Sequence, residues 1–390
     1  MSLRKPLPST LRWQPSYVWQ RMTRRMPRGP VHIVLMLGDH FEPAYVPREP
    51  RASAPFAEQE ARLETWCREY PEVVRHWRDS DGRPFVRSYF FPAEKYEVSL
   101  LDRLADHCGD GWGEIEIHLH HGVGKPDTAE NTRKQLAEFR DILANRHNAL
   151  CYWDGDGSPR YAFIHGSFAL ANSAGGIACG VDSEMQILAE TGCYVDMTFP
   201  TGPFHRSQTA KINSLYECTT PLDRREAHRD GPDLRVSRSP RVFPLMVQGP
   251  LLWDFHPAQH IIGIENGALT TPNPPSIRRL QLWKKAAITV DGRPDWLFIK
   301  VHCHGMDPTQ KVTMLGEPMR RFLRELVEGA AERNEILHFV TAREMVNIAL
   351  AACDGKSGNP GDYRDYRLKR VREKNAPESG ESVTREVVKN

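Results

Sequence analysis

Several common signatures are missing from this chain, and each gap narrows what it can be. Its eight cysteines stand at 67, 108, 151, 179, 193, 218, 303 and 353, with no C-x-x-C pair. Scattered thiols without metal spacing suit a reducing cytosol better than a disulfide framework. No apolar run reaches membrane-spanning length, and the start, MSLRKPLPSTLRWQPSYVWQRMTRR, lacks the apolar core of a signal peptide. Neither charge sign dominates: 52 Lys+Arg against 50 Asp+Glu leave a formal net charge of +2, which gives no reason to expect a nucleic-acid partner. The arginines between 12 and 28 form a local cluster that reads equally as a solvated arm. No G-x-G-x-x-G follows the first strand-like run, which weakens a dinucleotide-binding reading. Together these gaps predict a soluble, cytoplasmic protein with no membrane span.

What is present is ordinary globular material: 390 residues, 40% hydrophobic and 26% charged. Strand-like runs recur at 31–37, 85–91, 114–120, 161–165, 194–199, 242–247, 297–302 and 336–340. Helical stripes fall between most of them. In 57–70, Ala61, Leu63, Trp66, Cys67 and Tyr70 share a face, and Pro71 is expected to end the helix or begin a new turn. In 128–146 Leu136, Phe139, Ile142 and Leu143 do the same, with Asp127 expected as the cap. Residues 182–191, 276–287, 317–333 and 342–352 read likewise, the last opening on the capping-box spacing Thr341…Glu344.

Strands alternating with helices imply a parallel sheet. Eight units favour an α/β fold closed into a (β/α) barrel of seven or eight parallel strands over an open doubly wound sheet. Residues 1–30 read as an extended lead-in, 31–353 as the barrel, and 354–390 as a polar tail too poor in large apolar residues to order itself. The long connections 201–241 and 249–275 are expected as loops or small subdomains on the active-site face.

In such a barrel the chemistry sits where the strands end. The run Gly113–Gly122, GEIEIHLHHG, puts Ile115, Ile117 and Leu119 on one face and Glu114, Glu116, His118 and His120 on the other. Of the 16 histidines, seven fall at predicted strand ends: 40, 118, 120, 121, 165, 302 and 304. Lys300, His302 and His304 share a face in the seventh run, while Cys303 faces away, and Asp196 and Thr198 could point into the same interior. Neutral imidazoles with one carboxylate leave an open position on Zn²⁺ or a similar ion. Asp39 with His118 and His120 would supply that set, with His121 competing for the third place. The loop Asn172–Asp182, NSAGGIACGVD, reads as a connection, or as a source of amides for a substrate's oxygens.

Seven stretches, GDHFEP (38–43), EIHLHHG (116–122), FIHGSFALANS (163–173), CGVDSEMQILAETGCYVDMTFPT (179–201), GPLLWDF (249–255), GRPDWLFIKVHCHG (292–305) and LHFVTAREM (337–345), carry a resemblance. The chain resembles the polysaccharide deacetylase branch of the glycoside hydrolase/deacetylase barrel superfamily, and looks especially like bacterial relatives found with exopolysaccharide biosynthesis. The resemblance implies a divalent metal, usually zinc, and hydrolysis of acetyl groups from an amino sugar or acetylated saccharide, alongside polysaccharide-biosynthesis partners. It would give Asp39 the acidic role, His118 with His120 or His121 the ligand roles, and His302 or His304 the acid role. His165 would line the pocket; apart from the resemblance, Asp196 and Lys300 are expected towards the substrate because alternation turns them to the same interior. The pattern differs at Asp39-His40, where the family has two adjacent aspartates, and at Gly122, where it has a histidine. Two rival readings remain: a glycoside hydrolase drawing two carboxylates from Asp39, Glu42, Glu94, Asp196 and Glu265, and an inactive glycan-binding or scaffold barrel.

Overall fold

A computed structural model describes residues 12–25, 27, 29–49, 52–202, 205–219, 221–256 and 261–374. All eight strand-like runs fall on strands: Val31–His40, Arg87–Pro92, Gly113–Leu119, Pro159–His165, Cys193–Asp196, Leu245–Val247, Trp296–Cys303 and Glu335–Val340. Numbered first to eighth in that order, they pair in parallel as seventh–first–second–third–fourth–fifth–sixth. The eighth and second strands share one edge of the first. Val31–Met36 pairs with the eighth strand and Gly38–His40 with the second, while the seventh runs along the other edge.

The fold is α/β with a largely parallel central sheet, as expected, and the ladders of the described residues do not close it into a ring. Among the described residues no ladder joins the sixth strand to the seventh. Loop backbone fills the gap instead: the His302 amide donates to the Gly267 carbonyl at 3.0 Å, and the Leu269 amide to the His302 carbonyl at 2.8 Å.

Both faces of the sheet are buried, as a parallel sheet requires. Ile33, Leu35, Leu37, Tyr89, Ile115, Ile117, Phe163 and Ile299 pack on the outer side with the helices Phe56–Val74, Val98–His107, Ala129–Asn145, Glu184–Thr191 and Glu317–Glu328. Val34, Met36, Phe90, Ala162, Ile164 and Phe298 pack on the inner side against the helix Ala342–Cys353. That last helix is buried at every position and opens with the Thr341–Glu344 capping box. Its three polar residues, Arg343, Glu344 and Asn347, are buried and partnered within the protein, so the helix has no solvent face and packs against the inner side of the sheet.

Local expectations fared unevenly. Pro71 lies inside Phe56–Val74 rather than ending it. Thr128, not Asp127, caps Ala129–Asn145, with its side chain accepting from the Asn131 amide. Within the lead-in, Gln14–Thr23 is helical rather than extended. The long connections carry the strand Leu215–Glu217, antiparallel to the sixth, and the hairpin Leu252–His256/Ile261–Glu265.

The reading of a disordered tail is corrected for residues up to 374; 375–390 lie outside the described residues. Leu368–Arg370 pairs antiparallel with Cys151–Trp153. Its backbone is held by a buried side chain: Asn347 donates to the carbonyls of Arg364 and Leu368 at 2.6 and 2.9 Å, and accepts from the Leu368 amide at 2.8 Å. No helix among the described residues is long and apolar enough to cross a membrane.

Candidate functional site

Alternation along each strand decides which side chains reach the mouth of the sheet. On the first strand Val34, Met36 and His40 share the inner parity, whereas Leu35, Leu37 and Asp39 share the outer one. Asp39 accordingly leaves the histidines. It is fully buried, with Oδ2 2.7 Å from the Arg87 guanidinium and Oδ1 accepting from the Gly305 amide at 2.6 Å. Arg87 in turn lies over the rings of Trp66 and Tyr70 in the outer layer. The expectation that Asp39 acts as ligand or base is corrected: both its oxygens are spent on a strut that ties the first, second and seventh strands.

Glu42, three residues on, takes the place expected of Asp39. His118, at the inner end of the third strand, has Nδ1 2.8 Å from the Ile164 carbonyl. A carbonyl only accepts, so Nδ1 carries the proton and Nε2 presents a lone pair. That Nε2 is buried, has no hydrogen-bond partner, and lies 3.3 Å from Glu42 Oε1. His120 repeats the arrangement. Its Nδ1 donates to Glu94 Oε1 at 2.7 Å and its amide to Glu94 Oε2 at 3.2 Å, leaving Nε2 3.9 Å from the same Glu42 oxygen. A cation placed between the two Nε2 atoms and the Glu42 carboxylate would be within reach of all three.

On its other side Glu42 meets His40 and His304. Donor atoms of His40, Glu42 and His304 lie within 4.8 Å of one another, as do those of Glu42, His118 and His120. Burial favours a neutral Glu42, but His118, His120 and His304 outweigh it and hold its carboxyl down at about 2. Burial, helped by His304, His118 and His302 nearby, pushes His40 well below the usual histidine range. The group opens on a cavity of about 540 Å³ lined by Glu42, Tyr45, Glu49, Glu94, Lys95, His120, Ser167 and His304.

The remaining expected residues sit elsewhere. His302 is buried beside His40, with ring centres 5.8 Å apart, and it is His304 that lines the cavity. Lys300 and Asp196 are inside the sheet but satisfied internally. The ammonium donates to the carbonyls of Met197 and Phe199 at 2.5 and 2.7 Å, and Asp196 accepts from the amide and hydroxyl of Thr198 at 3.0 and 2.8 Å. Burial lowers Lys300 to about 7 against the pull of Asp196, and raises Asp196 to about 7 against its bonds from Thr198. Neither lines the cavity, so their expected contact with substrate is corrected to a structural role. Glu265 is likewise consumed, by the buried Arg279 at 2.7 Å.

His121 and His165 have the outer parity and leave the Glu42 group, which corrects the metal role expected of His121 beside His118 and the pocket-lining role expected of His165. With Cys179 and Glu184 they form a separate, fully buried set that could hold a metal ion. Sequence reasoning passed over Cys179 and Glu184 because no short spacing links them to the histidines. Compared with models of known protein families and with curated protein sequences, the chain matches none.

Proposed function

We propose that the chain is a metal-dependent hydrolase that removes acetyl groups from an amino sugar or acetylated saccharide, in keeping with the deacetylase resemblance. One observation supports it above others: two imidazoles, each oriented by a partner on Nδ1, aim their Nε2 atoms at one carboxylate. Such donors suit zinc or a similar ion, and outer partners such as the Ile164 carbonyl and Glu94 are what metal-bound histidines usually have. Glu42, His118 and His120 would hold the ion, which supplies Lewis acidity towards water and the acyl carbonyl. His304, on the far side of Glu42, faces the cavity as the group that would protonate a departing amine or alkoxide. A cavity of about 540 Å³ has room for a sugar ring, and Tyr45, Glu49, Lys95 and Ser167 offer polar contacts to hydroxyls.

A glycosidase draws support from a narrower observation, that Glu42 and Glu94 face the same cavity. Glu94 is occupied by His120, which favours the hydrolysis of an acyl group. Acetate release from acetylated chitooligosaccharides by zinc-loaded protein tests the choice. Acetate without new reducing ends is expected, and His118→Ala should lose the ion held at Glu42 and abolish turnover. New reducing ends without acetate, or full acetate release by that variant, would overturn the assignment.

A further inference from the structure

His121, His165, Cys179 and Glu184 come from four separate places: the turn after the third strand, the end of the fourth, the glycine-rich loop, and the first turn of Glu184–Thr191. We propose that they form a second, closed site for a zinc-like divalent cation, which staples the loop of residues 166–183 to the sheet. The inference is independent of the Glu42 site.

The donor set is the first support. Two imidazoles, a thiol and a carboxylate make a complete four-coordinate shell for zinc. Their ligand atoms all lie within 4.8 Å of one another and every residue is buried. Around Glu184, Oε1 is 2.8 Å from His121 Nε2 and 3.7 Å from His165 Nε2, and Oε2 is 3.4 Å from Cys179 Sγ. Ligands of a tetrahedral ion with bonds of about 2.0–2.3 Å sit roughly 3–4 Å apart, so small adjustments suffice.

The second support is an unsatisfied atom. His165 Nε2 is wholly buried, has no hydrogen-bond partner, and is aimed at Glu184. A cation would satisfy it. Ligation there moves the ring proton to Nδ1 and gives up the contact from the Ser167 amide, which is long at 3.2 Å.

The third support is the outer shell. His121 Nδ1 lies 3.0 Å from Asp127 Oδ2, an oxygen that also accepts from Thr132 Oγ1 at 2.8 Å. An aspartate behind a histidine fixes the ring so that Nε2 faces inward. Charge closes as well: the Glu184 carboxylate and a Cys179 thiolate neutralise a doubly charged ion, the thiol proton leaving to solvent on binding. None of the four residues lines the cavity, so no position is left for water or substrate, and the site is structural.

The staple has something to hold. Between 168 and 178 four non-glycine residues, Phe168, Ala171, Asn172 and Ala178, take positive φ. Such a conformation is unfavourable for a residue with a side chain and persists only where the surroundings enforce it. Gly166 and Ser167, at the start of the same loop, form part of the cavity wall.

Cobalt loading of the full chain separates this site from the other, because cysteine is a ligand only here. Wild-type protein should take up about two ions per chain and show a thiolate-to-cobalt charge-transfer band in the near ultraviolet. His118→Ala should keep the band and lose one ion. Cys179→Ser should lose the band and one ion, and Glu184→Gln provides a variant of the same shape should the serine protein fold poorly. Wild-type protein that binds cobalt without a thiolate band, or with a band that survives Cys179→Ser, would overturn the staple. Retention of the band with a single ion per chain would support the staple while counting against the Glu42 site.

Discussion

Asp39 and Glu42 lie three residues apart, and their surroundings give them different work. Asp39 neutralises a guanidinium sealed under Trp66 and Tyr70. Asp39→Ala would leave Arg87 charged and unpaired in the outer core, at a cost of about 3–5 kcal/mol in urea unfolding. Metal content of whatever remains folded should be unchanged, whereas a ligand variant such as His118→Ala loses metal with little loss of stability. Glu94 acts through His120, so Glu94→Gln should weaken zinc binding about 10–100-fold in chelator competition while the fold stands. Most of this was legible in the residues: the histidines at strand ends are those that gather. Asp39, His121 and His165 were misplaced although parity along their own strands places them outside, with Leu37, Leu119 and Phe163. Glu184 and Cys179 had no such signal, since their meeting depends on the path of a loop.

The elements were easier to read than their packing. Every strand-like run became a strand, because apolar residues at period two or in short continuous runs can be buried in few other ways. Helix Val98–His107 is not among the expected ones, and the pattern over 342–352 gives a helix without saying which face of the sheet it covers. Its sequence, AREMVNIALAAC, carries small apolar residues on every side, which suits a confined space inside the sheet. The Thr341 hydroxyl accepts from the Glu344 amide and sits 2.9 Å from Glu114 Oε2. Thr341→Ala should cost about 1–2 kcal/mol, read as a lower urea midpoint with an unchanged slope. An unaltered midpoint would mean that the helix is held by packing alone.

At the scale of the whole molecule, buried histidines tie stability to acidity. Burial pushes His107 and His338 down to about 4 and His228 to about 3. Unfolded, each would take its proton near about 6.5, so the folded state binds protons less readily. The share of stability that these three groups carry is therefore full above that pH and drains as the pH falls towards 4 and then 3, by on the order of 1.4 kcal/mol per pH unit for each group. The buried carboxyls of Asp196 and Glu116, raised to about 7 and about 8, pull the total the other way, so the test compares two proteins: between pH 7 and pH 4.5 wild type should lose more urea midpoint than His107→Gln, and parallel profiles would contradict the assignment. The polar stretch beyond 354 is ordered by what lies under it. Its composition gives it no core of its own, but Asn347 and Arg343 lie buried beneath it and need its backbone and carboxylates as partners.

The helix Ala342–Cys353 packs on Met36, Phe90 and Ile164, next along the inner face from His40 and His118. During synthesis, then, every residue proposed to grip an ion leaves the ribosome before the support beneath it. Loading would have to wait until that helix has emerged, and a nascent chain halted before residue 342 would carry all the ligands on an unsupported frame.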